Sequence, residues 1–182
     1  MKRNGVLELG RFVFGVLLPL VSFISCSSNS RNNTYIPKDN QFSHSAQYID
    51  MGKSLLSEGF EVCDTNYIIQ YYNPERATYS KGKNGLRKFI LSNYENRNYS
   101  DSGYLNIRFI INCKGEAGCY VIHENDLNLT PKTFNEDLKQ QLFLLTTQLK
   151  KWNPNFTYEK HRDSYMYISY RIENGEITEI IP

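Results

Sequence analysis

The sequence predicts an α+β fold, with a small antiparallel sheet of three to four strands and two helices packed on one face of that sheet. Three observations support this prediction. Apolar and polar residues alternate over residues 105–112, which is the period of a strand with one buried face. A helical period of apolar residues covers 134–149. Asn174-Gly175 then forms the strongest two-residue hairpin signal in the chain.

Length and composition set the broad class of protein. The chain of 182 residues suggests one domain with a tail or a small accessory segment. A net charge of +2 with 22% charged residues is too balanced to indicate a nucleic-acid partner or an acidic substrate. The fourteen tyrosines suit half-buried strand faces, where the ring packs and the hydroxyl reaches water, more readily than they indicate a binding surface.

Residues 1–25 have the pattern of a signal peptide. Two basic residues near the start precede an apolar run over 12–24, which is shorter than the roughly 20 residues that span a bilayer. The run ends at Ser25-Cys26, which resembles the lipobox of bacterial lipoproteins, where the cysteine thiol is acylated and becomes the new N-terminus after cleavage. We therefore expect Cys26 to be lipidated. The alternatives are an ordinary signal peptide with an unrelated cysteine, and an uncleaved anchor helix.

Residues 26–40 are predicted to be a lipidated, flexible tether between the membrane and the domain. The stretch 26–34 is polar and shows no periodic pattern, as expected of a linker. A lipid-modified cysteine carries more than one acyl chain, which is enough for stable membrane anchoring. No acidic run of the kind that favours surface export follows Cys26. We therefore expect an envelope location facing the periplasm.

The accessory segment, residues 41–83, has weaker signals. Apolar residues over 42–56 fall loosely on one helical face, and Gly59 would suit the end of such a helix. Residues 60–63 and 67–72 are β-prone, and the second stretch is stopped by a proline. The pattern leaves open whether this segment forms an added strand or a packed arm.

Export places the remaining thiols in an oxidising compartment, where a disulfide is expected. Of Cys63, Cys113 and Cys119, one must be left over. Cys113 falls at the tip of a predicted hairpin and Cys119 several residues along the return strand, so these two are not opposite each other. We expect Cys63 to pair with Cys113, because this pair would tie the accessory segment to the core.

The sequence contains no catalytic, cofactor or metal signature. No cysteine and histidine spacing typical of zinc sites is present, and the three histidines are dispersed. His123, Glu124 and Asp126 are close in sequence, but adjacent strand residues point to opposite faces, and no nucleophile or glycine-rich loop accompanies them. We therefore expect a solvated strand end here, and an enzyme remains the less favoured reading.

The predicted domain, residues 84–182, begins with a short helix and a hairpin. Its first helix is indicated by apolar residues at helical spacing behind Asn84-Gly85: Leu86, Phe89, Ile90 and Tyr94. The strand over 105–112 ends at Asn112-x-x-Gly115, in which Asn starts a type I turn and Gly supplies a left-handed position. The strand should return over 116–123, with alternate residues on one face: Ala117, Cys119 and Val121.

The second half of the domain continues as helix and strand. Thr133 and Glu136 form a predicted capping box at the start of the helix. Trp152-Asn153-Pro154 ends the helical region, because proline disfavours helical geometry in the preceding residue. A third strand is predicted over 163–173, with one face formed by Met166, Ile168, Tyr170 and Ile172 and the other by Tyr165, Tyr167, Ser169 and Arg171. Residues 176–181 should close the last hairpin as a fourth strand.

Residues 84–172 resemble the C-terminal domain of TonB-like proteins of Bacteroidetes. The resemblance is carried by Leu86-x-x-Phe89, the strand and turn ending at Gly115, the amphipathic helix, and Trp152-x-Pro154 before the last strand. It implies a non-enzymatic periplasmic domain whose exposed edge strand pairs with an extended peptide of an outer-membrane transporter. On this resemblance, the edge is the outer face of the last family strand, with Tyr165, Tyr167, Ser169 and Arg171.

Two departures from that family change the expected role. An energy transducer has an uncleaved inner-membrane helix and a proline-rich spacer, whereas this chain has a cleavable-looking apolar segment and six dispersed prolines. We therefore expect a lipoprotein that binds or scaffolds an envelope partner. The alternative is a true transducer for outer-membrane transport that keeps its N-terminal anchor.

Overall fold

The computed structural model describes residues 49–182. The predicted signal peptide, Cys26 and the predicted tether lie outside the described residues. In chain order the elements are β1 (Thr78–Tyr79), α1 (Gly82–Asn93), β2 (Gly103–Ile111), β3 (Ala117–Asn125), α2 (Glu136–Thr147), β4 (Trp152–Asn153), β5 (Asn155–Thr157), β6 (Lys160–Arg162), β7 (Ser164–Glu173) and β8 (Glu176–Ile181). The predicted α+β class is confirmed. Neither helix of this region has the length and hydropathy needed to cross a bilayer.

The main sheet is antiparallel, with strand order β3-β2-β7-β8. β2 pairs with β3 through the predicted hairpin and with β7 along its whole length, from Gly103 opposite Ile172 to Ile111 opposite Ser164. β8 folds back on the second half of β7, from Ser169 to Glu173. Two short pairs lie outside this sheet, β1 with β4 and β5 with β6.

Both helices pack on the same face of the main sheet. Leu86 and Ile90 of α1 share one core with Leu138 and Leu142 of α2. The sheet contributes the predicted alternate residues of β2 and β7, which are Leu105, Ile107, Phe109, Met166, Ile168, Tyr170 and Ile172. Each such side chain stabilises the fold by roughly 1.5–3 kcal/mol when fully buried. The period of two therefore predicts this face correctly.

A bulge in β3 makes one of the sequence predictions wrong. Ala117, Cys119 and Val121 were expected on one face, but Ala117 packs against the main core while Cys119 and Val121 pack on the opposite side of the sheet. The register shifts between Arg108 and Ile110 on the neighbouring strand, and Cys119 has a φ of 56°. One extra residue reverses the alternation, so the period of two does not persist through the strand.

The start of α2 also differs from the prediction. Asn135 is the N-cap residue, and its side-chain oxygen accepts hydrogen bonds from the backbone N–H groups of Asp137 and Leu138 at 2.9 and 3.3 Å. The predicted capping box of Thr133 and Glu136 is therefore wrong by two positions. Asparagine is at least as good an N-cap as threonine, and the helix begins two residues later than the capping pattern indicates.

Residues 49–72 form a packed arm on the second face of the sheet. Ile49 shares a small core there with Ile110, Cys119 and Tyr165. The predicted helix and strands do not form in the described part of this segment, because residues 49–59 make turns and Ile69 makes a single bridge to Ser164. The arm binds through tertiary contacts, which explains its weak periodicity.

Candidate functional site

The strand order identifies the two edges of the main sheet as β3 and β8. The sequence placed the binding edge on β7, and that prediction is wrong. Of the four residues named for it, Ser169 and Arg171 pair with Ile181 and Glu179 of β8, and Tyr165 donates its backbone N–H to Ile69 O at 2.9 Å. β8 therefore covers the side of β7 that the sequence pattern predicted to be a free edge.

The outer edge of β3 is occupied at both ends. Tyr120 exchanges two backbone hydrogen bonds with Leu55 of the arm, each 2.8 Å long. At the other end Lys132 donates its backbone N–H to Glu124 O at 3.1 Å, and Asn125 forms a bridge with Pro131. An added strand would have to displace both segments, so β3 is a poor template for strand addition.

The outer edge of β8 is more open. Arg87 of α1 donates from Nε and Nη2 to the carbonyl oxygen of Ile180, at 3.2 and 2.9 Å. A groove of about 420 Å³ accompanies this edge. It is lined by Arg87, Leu91, Arg171, Glu173, Ile177, Thr178, Glu179 and Ile180. The groove therefore combines an edge strand, one helix wall and a mixture of apolar and charged side chains.

The charged residues of β7 and β8 at this edge are mainly acidic, and α1 adds the guanidinium of Arg87. Register places Glu173 opposite Glu176 and Arg171 opposite Glu179. Arg171 Nη2 lies 2.8 Å from a carboxylate oxygen of Glu173, so the one guanidinium on the two strands is already paired, and the second guanidinium, Arg87 of α1, donates to Ile180 O. The apolar component comes from Ile177, which packs on the core, and from Leu91 of α1, which is 53% exposed. A ligand with alternating basic and apolar side chains complements this pattern.

The hairpin that creates this edge is held by the link between α1 and β2. Asn174 and Gly175 have φ values of 51° and 77°, as a type I′ turn requires. Gly175 donates its N–H to Asp101 O at 2.8 Å, and Tyr94 Oη donates to Gly175 O at 2.5 Å. Burial raises the pKa of the Tyr94 phenol, so its hydroxyl stays protonated as a donor. The edge is therefore positioned by fixed contacts at its turn.

The predicted turn and junction residues meet at the opposite end of the sheet. Asn112 Oδ1 accepts from the backbone N–H groups of Lys114 and Glu116 at 3.0 and 2.9 Å, and Gly115 donates to Asn112 O at 2.9 Å. Gly115 has a φ of 80°, and a side chain there would collide with the carbonyl oxygen of Trp152. Pro154 lies beside the same position. These four residues form a structural junction between hairpin and β4.

Trp152 is buried at this junction. Its indole Nε1 donates to Leu149 O at 2.8 Å, and its ring centroid lies 5.4 Å from that of Phe109. The indole therefore packs back on the sheet as expected from the sequence. Its role in this structure is to close the core after α2.

Cys63 and Cys113 form a disulfide, the pair expected from the sequence. The Asp163 carboxylate lies beside it, and sequence reasoning did not single out this residue. It accepts hydrogen bonds from the backbone N–H groups of Cys113 at 2.8 Å and Asp64 at 2.7 Å. Cys119 is a free, buried cysteine, and burial raises the pKa of its thiol. Asp163, the residue before β7, thus joins the arm to the hairpin turn.

His123, Glu124 and Asp126 take separate structural roles. Burial, together with the nearby charge of Arg108, lowers the pKa of His123 to about 4. Glu124 accepts from Lys139 Nζ at 3.1 Å, and Asp126 Oδ1 accepts from the backbone N–H groups of a turn over 128–130 at 2.8 Å. The three side chains therefore act separately: His123 is buried on β3, Glu124 binds Lys139 of α2, and Asp126 stabilises the turn that follows.

The chain matches no protein-family model, no curated protein and no solved structure. The functional interpretation therefore depends on the geometry of the β8 edge and on the sequence patterns.

Proposed function

We propose that this protein is a non-enzymatic lipoprotein of the cell envelope whose TonB-like domain binds an extended peptide by adding it as a strand to β8. The observation that carries the proposal is the outer strand β8 beside a groove of about 420 Å³, where a bound peptide would displace the Arg87 guanidinium from Ile180 O. The peptide belongs to an envelope protein, and an outer-membrane transporter is the kind of partner that the TonB resemblance implies. Strand addition provides affinity through main-chain hydrogen bonds and selectivity through alternate side chains.

The order of the elements supports the resemblance. A helix, a hairpin turning at Gly115, a second helix and the Trp152–Asn153 strand precede β7, in the order expected for that family. The β8 strand is an addition to that pattern. It transfers the free edge from β7 to β8, so the proposed peptide binds one strand further out than in the family pattern.

The charges of the edge specify the class of peptide. Glu173, Glu176 and Glu179 outnumber two guanidiniums, that of Arg171, which is paired with Glu173, and that of Arg87, which donates to Ile180 O. On the side of α1, the partly exposed Leu91 offers an apolar contact. Because neighbouring side chains of an added strand point to opposite faces, the favoured peptide carries basic residues at one set of alternate positions and apolar residues at the other.

The binding test uses selection of displayed peptides on the immobilised full-length protein. We expect the selected peptides to alternate basic and apolar residues, and amide hydrogen exchange in residues 176–181 to slow when such a peptide is bound. Glu179→Lys should weaken binding at least roughly tenfold, because it places like charges together. Selected peptides that protect a different segment would refute the assignment of the edge.

A matched control separates local from net charge. Glu159→Lys changes the net charge by the same amount, but Glu159 lies in the exposed turn between β5 and β6. We expect this variant to bind like the wild type. Equal loss of binding in both variants would show that overall charge, and not the β8 edge, controls the interaction.

The anchoring component of the proposal has its own test. Cys26→Ala should release the protein from membranes, and the mass of the mature N-terminus should show cleavage and acylation at Cys26. Retention of an intact N-terminus would instead support a transducer with an uncleaved anchor. The anchoring experiment does not depend on the outcome of the peptide experiment.

A further inference from the structure

A buried carboxylate lies beside the disulfide and has no cationic partner among residues 49–182. Asp163 has an exposed fraction of 0%. Its two oxygens accept from the backbone N–H groups of Cys113 and Asp64, and none of the ion pairs within the described region includes it. Burying a charge is costly unless it is paired or bound to a metal. This environment favours a positive charge at the carboxylate.

Two cysteine side chains lie close enough to Asp163 to supply further ligands for a cation. The Sγ atoms of Cys63 and Cys113 and a carboxylate oxygen of Asp163 all lie within 4.8 Å of one another. A tetrahedral zinc ion, with bonds of about 2.3 Å to sulfur and about 2.0–2.2 Å to oxygen, needs ligand atoms less than roughly 4 Å apart. Once the sulfur–sulfur bond is broken, small side-chain rotations bring the three atoms to that spacing.

We propose that Cys63, Cys113 and Asp163 bind a thiophilic divalent cation such as Zn²⁺ when the disulfide is reduced. A dithiol reductant supplies two electrons and two protons to the sulfur–sulfur bond, which gives two thiols and the oxidised reductant. The metal ion then displaces the two thiol protons and binds two thiolates and one carboxylate. Cys63 is exposed, so water has access to a fourth position.

The backbone around this site already orients the ligands. The disulfide holds the two Cα atoms 6.1 Å apart. The amides of Asp64 and Cys113 bind the Asp163 carboxylate, and each of its oxygens keeps a second lone pair for a metal. The arm and the hairpin turn are therefore joined either by the disulfide or by the metal ion, depending on the redox state.

The experiment is a titration of the full-length protein in detergent, in a Cys26→Ser/Cys119→Ser background that leaves the two candidate thiols. The protein is reduced with a phosphine, freed of reductant and titrated with Cd²⁺, while thiolate-to-metal absorption in the ultraviolet is followed. Zn²⁺ affinity is then measured against a chromophoric chelator. We expect one bound ion per chain in the reduced protein and none in the oxidised protein. Absence of saturable binding after reduction would overturn the proposal.

Two variants test the ligand set. Asp163→Asn keeps an acceptor oxygen but removes the charge, and it should weaken binding at least roughly tenfold. Cys63→Ser changes an exposed residue and should abolish binding at one equivalent. Circular dichroism checks that each variant is folded. Unchanged affinity in a folded Cys63→Ser variant would overturn the assignment, even if Asp163→Asn failed to fold.

Discussion

The carboxylate of Glu124 on β3 lies 3.1 Å from the ammonium nitrogen of Lys139 on α2. Lys139 is only 2% exposed, and Glu136 approaches it from the helix surface at 2.8 Å. Burial acts to lower the pKa of Lys139, but its hydrogen bonds to Glu136 and Glu124 outweigh that effect, so the pKa is raised. Glu124 also accepts from the backbone N–H of Phe134 at 2.7 Å. One carboxylate thus fixes the sheet to the start of the helix.

Glu124→Gln should strongly destabilise the protein. The substitution removes the charge of the more buried of two carboxylates that face a buried ammonium group, while Glu136 stays paired with it, so the cost is that of a hydrogen bond to a charged group, roughly 1.5–3 kcal/mol of unfolding free energy. Urea unfolding measures this loss. Glu136→Gln is the matched control, because Glu136 is 53% exposed and its pair should contribute less than about 1 kcal/mol. Similar losses in both variants would contradict a buried role for Glu124.

The stability of the protein should fall as the pH is lowered from about 6.5 to about 4. Burial and Arg108 depress the pKa of His123 to about 4 in the folded protein, whereas an unfolded histidine titrates near 6.5. In this window the unfolded chain binds more protons, so acid favours unfolding, by up to roughly 3 kcal/mol. Urea unfolding at several pH values measures the slope.

Two histidine variants test whether His123 causes this pH dependence of the unfolding free energy. His123→Gln should flatten the pH dependence of the unfolding free energy. His161→Gln, on the exposed strand β6, should keep the wild-type pH dependence. A wild-type slope in His123→Gln would mean that other groups control the acid response.

Removal of the disulfide should lower the unfolding free energy by roughly 4 kcal/mol, on the chain-entropy model for a loop of this length. The bond joins residues separated by 50 positions and links the arm to the hairpin turn. Cys63→Ala/Cys113→Ala tests this by denaturant unfolding. The reduced wild-type protein, in the presence of a metal chelator, should show a comparable loss. If reduction leaves the stability unchanged, the arm is held by its other contacts.

Gly115→Ala should destabilise the protein more than Gly59→Ala. Both glycines have positive φ, 80° and 74°, so an alanine is strained by roughly 1–2 kcal/mol at either position. A methyl group at Gly59 meets open space, whereas at Gly115 it collides with the Trp152 carbonyl. Overpacking of this kind costs a further 1–3 kcal/mol or so. Thermal unfolding compares the two variants, and equal losses would exclude a tight contact at the junction.

Local patterns predicted most of the regular structure. The alternation in 105–112 corresponds to β2, and the stripe over 134–149 corresponds to α2. Asn174-Gly175 correctly predicted the last hairpin. Each of these signals depends on residues a few positions apart, which is why the sequence alone carries them. The Cys63–Cys113 pair was also expected, because the hairpin geometry disfavoured Cys113 with Cys119 and a bond from Cys63 to Cys113 would tie the accessory segment to the core.

The errors arise where distant segments decide the outcome. The bulge at Cys119 moves Cys119 and Val121 to the face opposite Ala117, and no residue type in this stretch predicts a bulge. Tyr165 was expected on a free edge but is buried under the arm, because residues around Ile69 return to pair with the start of β7. Asp163 carried no sequence signal, since its importance depends on two backbone amides far away in the chain.

By itself the sequence determined the two helices and the four long strands, the core face of β2 and β7, and the last hairpin, because side-chain periodicity and turn chemistry are local properties. The tertiary structure decided which strand forms the free edge, how the arm covers the second face, and which groups surround the disulfide. Those features depend on hydrogen bonds and burial between segments that are distant in sequence. Because β7 is an inner strand and β8 an outer strand of the sheet, the proposed binding edge is on β8.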